Sequence, residues 1–134
     1  MNLKFKGYIS SRELNDSSFI PQKVQNLVIR HVCQSRGIDF LLSATEYGMK
    51  KSFLVLNQTI KDIVKLKING IAFYSIDQLP NNIAKANKIL NTIILSKKNI
   101  LFSLEDILIT NKRELSKVKE IIKIKSLIQF NKSK

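Results

Sequence analysis

Hydrophobic and polar positions along this chain follow two periods, the alternation typical of strands and the wider spacing typical of amphipathic helices. Residues 3–9 alternate, with Phe5 and Ile9 on one side and Lys4 and Lys6 on the other. Beyond a polar loop, helical and strand-like segments succeed one another regularly. The pattern predicts a helix at 22–36, a strand at 38–43, a helix at 53–67, a strand at 71–76, a helix at 82–97, a strand at 100–104 and a helix at 111–130.

This alternating order predicts an α/β fold. Strands joined through helices form a mostly parallel sheet, so we expect four strands with helices on both faces. Residues 107–109 are expected to continue the fourth strand past a break at Glu105 and Asp106. The 134 residues show no internal repeat and no shift in composition, which predicts a single domain over 1–134.

Several boundary residues support the predicted helices. Pro21 stands near the first turn of the first helix, and Gly37 stands at its end. Ser52 is expected to cap the second helix. Asn111 and Glu114 have the spacing of a capping box for the last helix.

The helix at 22–36 is apolar nearly all round, with Leu27, Ile29 and Val32 among its apolar positions. Such a helix is buried on two sides. It packs either between the sheet and its neighbours or at a subunit interface, and the second reading predicts a homo-oligomer. His31 lies among these residues and is expected to be a core or interface histidine.

The formal net charge of +13 points toward a polyanionic partner. The chain is also rich in Ile, Lys and Asn, the residues of A/T-rich codons, which raise the lysine content without any partner. Arginine, the better reader of guanine and phosphate, is scarce. We therefore expect no specific nucleic acid as a partner.

Other features exclude whole classes of site. Cys33 is the single cysteine and His31 the single histidine, so neither an internal disulfide nor a Cys/His zinc site is possible. No glycine-rich phosphate loop occurs. We expect no metal and no cofactor. No apolar segment has the length of a membrane span, and the start of the chain is typical of a strand, so a cytoplasmic location is expected.

Polar side chains follow the predicted strands where each one ends. In open α/β sheets, ligands bind outside the carboxyl ends of the strands. The sequence therefore predicts a site at this edge, with candidate catalytic and binding residues Ser10, Ser11, Arg12, Glu46, Tyr47, Asp77 and Gln78.

Each candidate has a chemical interpretation and a structural alternative. Arg12 can clamp a carboxylate or phosphate, or pair with a loop carboxylate. Glu46 and Asp77 can act as general acid or base, or serve as capping and salt-bridged groups. Gln22 and Asn26 share one helix face, where their amides can hold sugar hydroxyls or form a solvated stripe.

Two resemblances arise from these motifs. Tyr8-Ile9-Ser10-Ser11-Arg12, Gln22 and Asp77-Gln78-Leu79-Pro80-Asn81 resemble the catalytic domain of serine recombinases (resolvases and invertases). This resemblance implies a resolvase-like fold. It does not imply recombination, because Ser10, Gln78 and Asn81 stand where that family places arginines, and Arg12 stands at the position of the nucleophilic serine.

Longer segments are similar to small bacterial proteins of sporadic carbohydrate clusters. They are Gly7-Tyr8-Ile9-Ser10-Ser11-Arg12, Pro21-Gln22-Lys23-Val24-Gln25-Asn26, Ser43-Ala44-Thr45-Glu46-Tyr47 and Tyr74-Ser75-Ile76-Asp77-Gln78-Leu79-Pro80. This resemblance implies a small enzyme of surface-carbohydrate biosynthesis acting on an anionic sugar or sugar nucleotide by metal-free acid/base chemistry. The alternative is a degenerate recombinase-like module that binds DNA, a ligand or a protein without catalysis.

Overall fold

The computed structural model describes residues 2–47 and 53–132, with side chains described to residue 128. The predicted α/β class and the alternating order of elements are confirmed. The elements are β1 (Lys4–Ser10), α1 (Gln22–Ser35), β2 (Asp39–Glu46), α2 (Leu54–Lys65), β3 (Gly70–Phe73), α3 (Ile83–Leu95), β4 (Asn99–Phe102), β5 (Ile107–Ile109) and α4 (Lys112–Lys132).

The sheet has five strands in the order β2-β1-β3-β4-β5, and not the four that the sequence predicts. The first four strands are parallel, whereas β5 pairs antiparallel with β4. A tight turn causes the difference. The backbone N–H of Asp106 donates to the carbonyl of Ser103, and Asp106 has a φ of 55°. The chain therefore reverses here instead of continuing β4.

Both faces of the sheet are covered. Helices α2, α3 and α4 pack on one face around Tyr8, Phe73 and Phe102, and α1 packs on the other face against Phe5 and Ile9. β1 lies in the interior of the sheet, so its side chains are buried alternately on the two faces. This central position brings the residues that end β1 into the interior of the molecule.

Gly7 allows β1 and β2 to approach closely. The β1–β2 register shifts between Lys6 and Tyr8, where β2 has one extra residue. A Cβ at Gly7 would clash with the side chains of Ser43 and Phe40. Beyond this bulge Ser10 lies opposite Glu46, so the two strands deliver their last residues side by side.

Two predicted boundaries move. Ser75 caps a short 3₁₀ turn at Ile76–Gln78, and this turn ends β3 at Phe73, earlier than predicted. The predicted cap Ser52 lies outside the described residues, and α2 begins at Leu54.

Some helix positions predicted to face inward are exposed. His31 lies on the exposed side of α1, so it is not a core residue. Leu27 on α1 is 57% exposed. Ile29 and Cys33 provide the buried side of α1, and burial raises the pKa of the Cys33 thiol to about 11. Within the described ranges, no helix combines the length and the apolar character that crossing a membrane requires.

Candidate functional site

The end of β1 is held by a buried network of amides. The Gln25 amide nitrogen donates to the carbonyls of Ser10 and Ile20 at 2.7 and 2.8 Å. Its oxygen accepts from the backbone N–H of Ser10 and from Nε2 of Gln78, both at 3.0 Å. Nε2 of Gln78 also donates to the Ser10 hydroxyl at 3.2 Å. Ser10, Gln25 and Gln78 are at most 1% exposed, so the network joins β1, α1 and the turn after β3 inside the protein.

The turn after β3 is fixed by its own polar side chains. The Gln78 side-chain oxygen accepts from the backbone N–H of Tyr74 at 2.6 Å. The Ser75 hydroxyl donates to Glu105 at 2.7 Å, and Glu105 also accepts from the backbone N–H of Ile76. Gln78 therefore has a capping role in addition to its contact with Ser10, and Glu105 links the turn to β4.

Glu46 caps the first turn of α2. Its carboxylate accepts from the backbone N–H groups of Val55 and Leu56 at 2.9 and 3.2 Å, and from the Tyr8 hydroxyl at 2.7 Å. The Arg12 guanidinium lies 4.0 Å away. Acceptor side chains of this kind satisfy the free backbone N–H groups at a helix N-terminus, and this geometry matches the structural alternative for Glu46.

Arg12 lies beneath α2 in a fixed position. Its side chain is 8% exposed, and it donates to the Tyr8 hydroxyl at 3.0 Å and to the Gln78 carbonyl at 2.7 Å. The guanidinium is 4.1 Å from the centre of the Phe53 ring, a cation–π contact. Arg12 therefore joins the loop after β1 to α2 and to the turn after β3.

Tyr8 connects these two charged groups. Burial raises the pKa of its phenol well above the ordinary value, and the positive charge of Arg12 opposes that shift. The Tyr8 hydroxyl donates to Glu46 and accepts from Arg12. Its neutral form completes the network, so it is a structural group at neutral pH.

Asp77 is paired with the last helix. The Asp77 carboxylate is 3.2 Å from the Lys125 ammonium, and its side chain is 6% exposed compared with 35% for Lys125. The backbone carbonyl of Asp77 also accepts from the N–H of Asn15 at 2.9 Å. Asp77 thus ties α4 and the loop after β1 to the turn after β3.

The remaining predicted residues lie at the periphery of the network. Ser11 is exposed, and its backbone N–H and hydroxyl both donate to the Glu46 carbonyl, at 3.1 and 3.4 Å. Tyr47 is 74% exposed. Asn26 accepts a hydrogen bond from the Ser43 hydroxyl at 2.7 Å, so it faces β2 and not the end of β1. Gln22 is half-buried in the first turn of α1, one turn before Asn26.

An open cleft adjoins Arg12. It has a volume of about 280 Å³ and is lined by Arg12, Glu13, Leu14, Asn15, Ser17, Phe53 and Asn81. Polar and aromatic groups thus border the loop after β1, and Asn81 is one of the residues singled out by the recombinase comparison. This cleft is large enough for a small polar ligand.

Sequence reasoning missed the residues at the centre of the network. Gln25 shares its helix face with Ile29 and Cys33, at i+4 and i+8, and all three are buried. A glutamine at the head of an otherwise apolar stripe is the signal that could have identified it. Tyr8 was likewise not selected, because nothing in the sequence pairs it with a partner 38 residues away.

The chemistry available in the interior is limited. The Ser10 hydroxyl is contacted by the Gln78 amide, which is not a base, and Glu46 is occupied as a helix cap. Among the described side chains, no group of three or more His, Cys, Asp or Glu residues could hold a metal ion. The arrangement is suited to fixing loops.

Comparison with known proteins supports the fold. No family model matches the chain, and no curated protein matches it. The structure is similar to that of a resolvase family site-specific recombinase from Streptococcus pneumoniae, with a TM-score of 0.63 and 16% sequence identity. The match covers 96% of this chain and 95% of the recombinase chain. The predicted resolvase-like fold is confirmed, whereas the resemblance to carbohydrate-cluster proteins stays a prediction.

Proposed function

We propose that this protein is a binding module on a resolvase-like fold, without strand-transfer chemistry, whose partner is the phosphate backbone of nucleic acid. The observation that carries this proposal is the closed network at the carboxyl ends of the strands. Ser10 and Gln78 are at most 1% exposed and bind one another, and Glu46 is 3% exposed and caps α2. Groups used in this way are not free to rearrange around a substrate.

Surface charge supports nucleic acid as the class of partner. Basic side chains far outnumber acidic ones on α2, α3 and the loops that follow these two helices. The basic residues are Lys61, Lys65, Lys67, Lys85, Lys88, Lys97 and Lys98, against Asp62. Phosphate neutralisation by lysines gives salt-sensitive, sequence-independent binding. The structural neighbour is a site-specific recombinase, which favours the same class of partner.

The test separates binding from cleavage. Purified protein is incubated with supercoiled plasmid and with a labelled DNA duplex at low and physiological salt. We expect a mobility shift that weakens steeply with salt and no nicking. Nicking that disappears in Ser10→Ala or Ser11→Ala contradicts the proposal, as does binding to phosphatidylserine vesicles with no binding to the duplex.

The open cleft beside Arg12 favours a second candidate function, the carbohydrate enzyme implied by the sequence resemblance. In that case the sugar or sugar nucleotide binds against Arg12, Asn15 and Asn81, which line the cleft. A thermal-shift screen of sugar nucleotides and sugar acids tests it, since a ligand at 100 times its Kd stabilises a protein by about 2.7 kcal/mol. A shift that is lost in Asn81→Ala supports this candidate, whereas the absence of any shift removes it.

A homo-oligomer is also proposed, on the basis of exposed apolar residues on α1. Val24 and Leu27 are 42% and 57% exposed on the side of the helix away from the sheet. Light scattering at tens of micromolar protein, on the order of typical dimer affinities, would give a mass above 15.4 kDa. A monomer at that concentration contradicts the oligomer.

A further inference from the structure

The loops that follow α2 and α3 meet at the amino-terminal edge of the sheet. Asn69 joins them to the start of β1: its side-chain oxygen accepts from the backbone N–H of Lys4 at 2.7 Å, and its own N–H donates to the carbonyl of Lys4 at 2.8 Å. The Asn69 carbonyl accepts from the N–H of Asn99 at 2.8 Å. Three separate segments are thus fixed next to one another.

Each of these segments contributes lysines to one surface. The amino-edge lysine cluster is Lys4, Lys65, Lys67, Lys97 and Lys98. All are exposed except Lys98, which is half-buried. The Lys98 ammonium donates to the Leu66 carbonyl at 3.2 Å, which links the loop after α3 to the end of α2. Like charges at one edge repel one another.

Lys97 adds an independent observation. Helices α1 and α3 end in the same Schellman motif, with paired hydrogen bonds from the two residues after the cap. Gly37 has the required positive φ of 68° in α1, but Lys97 has it in α3, with a φ of 62°. The left-handed conformation costs an L-residue roughly 1 kcal/mol, and glycine avoids this cost. A lysine of the cluster is therefore held at a strained backbone position.

Acidic residues are concentrated at the opposite edge of the sheet. Glu46 ends β2, Asp77 lies in the turn after β3, and Glu105 is hydrogen-bonded to that turn. Glu13 and Asp16 lie in the loop after β1. At the amino edge Asp39 begins β2 opposite Lys4, and the five lysines of the cluster outnumber it. An anionic polymer is therefore attracted to the amino edge.

We infer that the amino-edge lysine cluster is the surface that contacts consecutive phosphates of a nucleic acid. This inference rests on the proposed nucleic-acid-binding function and places it at a defined edge, remote from the Ser10–Gln25–Gln78 network. Lysines on short loops contact phosphates as point charges, so the binding is independent of sequence.

Fluorescence anisotropy with a labelled DNA duplex over a series of salt concentrations tests the inference. The variant is Lys65→Gln/Lys67→Gln/Lys97→Gln. The matched control is Lys112→Gln/Lys117→Gln/Lys123→Gln on α4, which removes the same charge from exposed positions. Each lost phosphate contact lowers the slope of log K against log salt by roughly one. We expect the cluster variant to lose at least about tenfold in affinity and two to three units of slope, and the control to lose less than about threefold.

The outcomes separate the two proposals. Equal losses in the cluster variant and the α4 control overturn the cluster as the contact surface, while wild-type binding upholds the proposed function. Absence of salt-dependent binding in the wild-type protein overturns the proposed function itself. Circular dichroism verifies that both variants are folded, and a folded cluster variant with wild-type affinity also overturns the inference.

Discussion

The two edges of the sheet use polar residues in opposite ways. At the carboxyl edge Ser10, Gln25 and Gln78 are buried and hydrogen-bonded to one another. At the amino edge Lys67 and Lys97 are exposed. Removing a buried polar group is costly, because it leaves the group's hydrogen-bond partner unsatisfied in the interior. An exposed charge contributes little to the free energy of folding, and it can contact another molecule. At the edge where ligands usually bind in open α/β sheets, this protein has a polar joint, the hydrogen-bonded side chains of Ser10, Gln25 and Gln78.

The largest effect is expected at Gln25. Gln25→Ala removes four hydrogen bonds and leaves the backbone N–H and C=O of Ser10 unsatisfied in the interior. Each such group costs about 1–3 kcal/mol, so we expect a loss of about 3–4 kcal/mol in urea unfolding. The control is Gln22→Ala on the same helix, which should cost less than about 0.5 kcal/mol. Similar losses in both variants would mean that Gln25 is not the joint.

The next largest effect is expected at Glu46. Glu46→Ala deprives the N–H groups of Val55 and Leu56 and the Tyr8 hydroxyl of their acceptor, and it leaves the nearby Arg12 without the carboxylate. We expect a loss of about 2–3 kcal/mol in the free energy of unfolding. Glu46→Gln keeps an acceptor oxygen and should recover about half of this loss. A Glu46→Ala protein of wild-type stability would restore Glu46 as a free acid/base candidate.

The sequence predicts the fold better than it predicts the site, for a physical reason. Hydrophobic periodicity is a local property, so the helices and parallel strands could be placed from it. The position of Gln25 against Ser10 depends on how α1 crosses the sheet, and the contact of Tyr8 with Glu46 depends on the bulge opposite Gly7. Residues whose side chains can carry chemistry could be selected by residue type. The hydrogen bonds and ion pairs that engage those side chains are formed only by tertiary packing.

Tyr8 makes the carboxyl edge sensitive to alkali. Burial raises the pKa of its phenol above the unfolded value near 10, so the folded state retains a proton that the unfolded state loses. This contribution to stability is complete below about pH 10 and is lost as the pH rises further. Tyr8→Phe should cost about 1–1.5 kcal/mol at neutral pH and reduce the loss of stability above pH 10. Urea unfolding from neutral pH to above pH 10 measures this pH dependence, with Tyr47→Phe at an exposed position as the control. If the pH dependence is unchanged in Tyr8→Phe, the loss of stability in alkali does not come from Tyr8.

At the amino edge, substitution of Lys97 is expected to raise the free energy of unfolding, whereas the substitutions at the carboxyl edge lower it. Lys97→Gly relieves the positive φ, so we expect unfolding to require about 0.5–1 kcal/mol more. The same change removes a cluster charge and should lower the salt slope of DNA binding by about one. Gly37→Ala at the equivalent position of α1 should destabilise the protein by a similar amount without changing DNA binding. A Lys97→Gly variant that is both more stable and fully competent in binding would leave the strained lysine without a function.

A comparably small change, at Asp77, decides between the two function classes. Lys125 is 35% exposed and can return to water, so breaking its ion pair with Asp77 should cost only about 0.5–1 kcal/mol. Asp77→Asn is nearly isosteric, and a double-mutant cycle with Lys125→Met isolates the pair.

If the thermal-shift screen finds a sugar ligand that the protein converts, turnover in Asp77→Asn becomes the critical measurement. A structural Asp77 predicts turnover within a few fold of wild type, because the ion pair only positions α4. A loss of turnover with binding and folding intact means that Asp77 supplies the acid/base group. The carboxyl edge is then an active site, and the binding-module proposal fails.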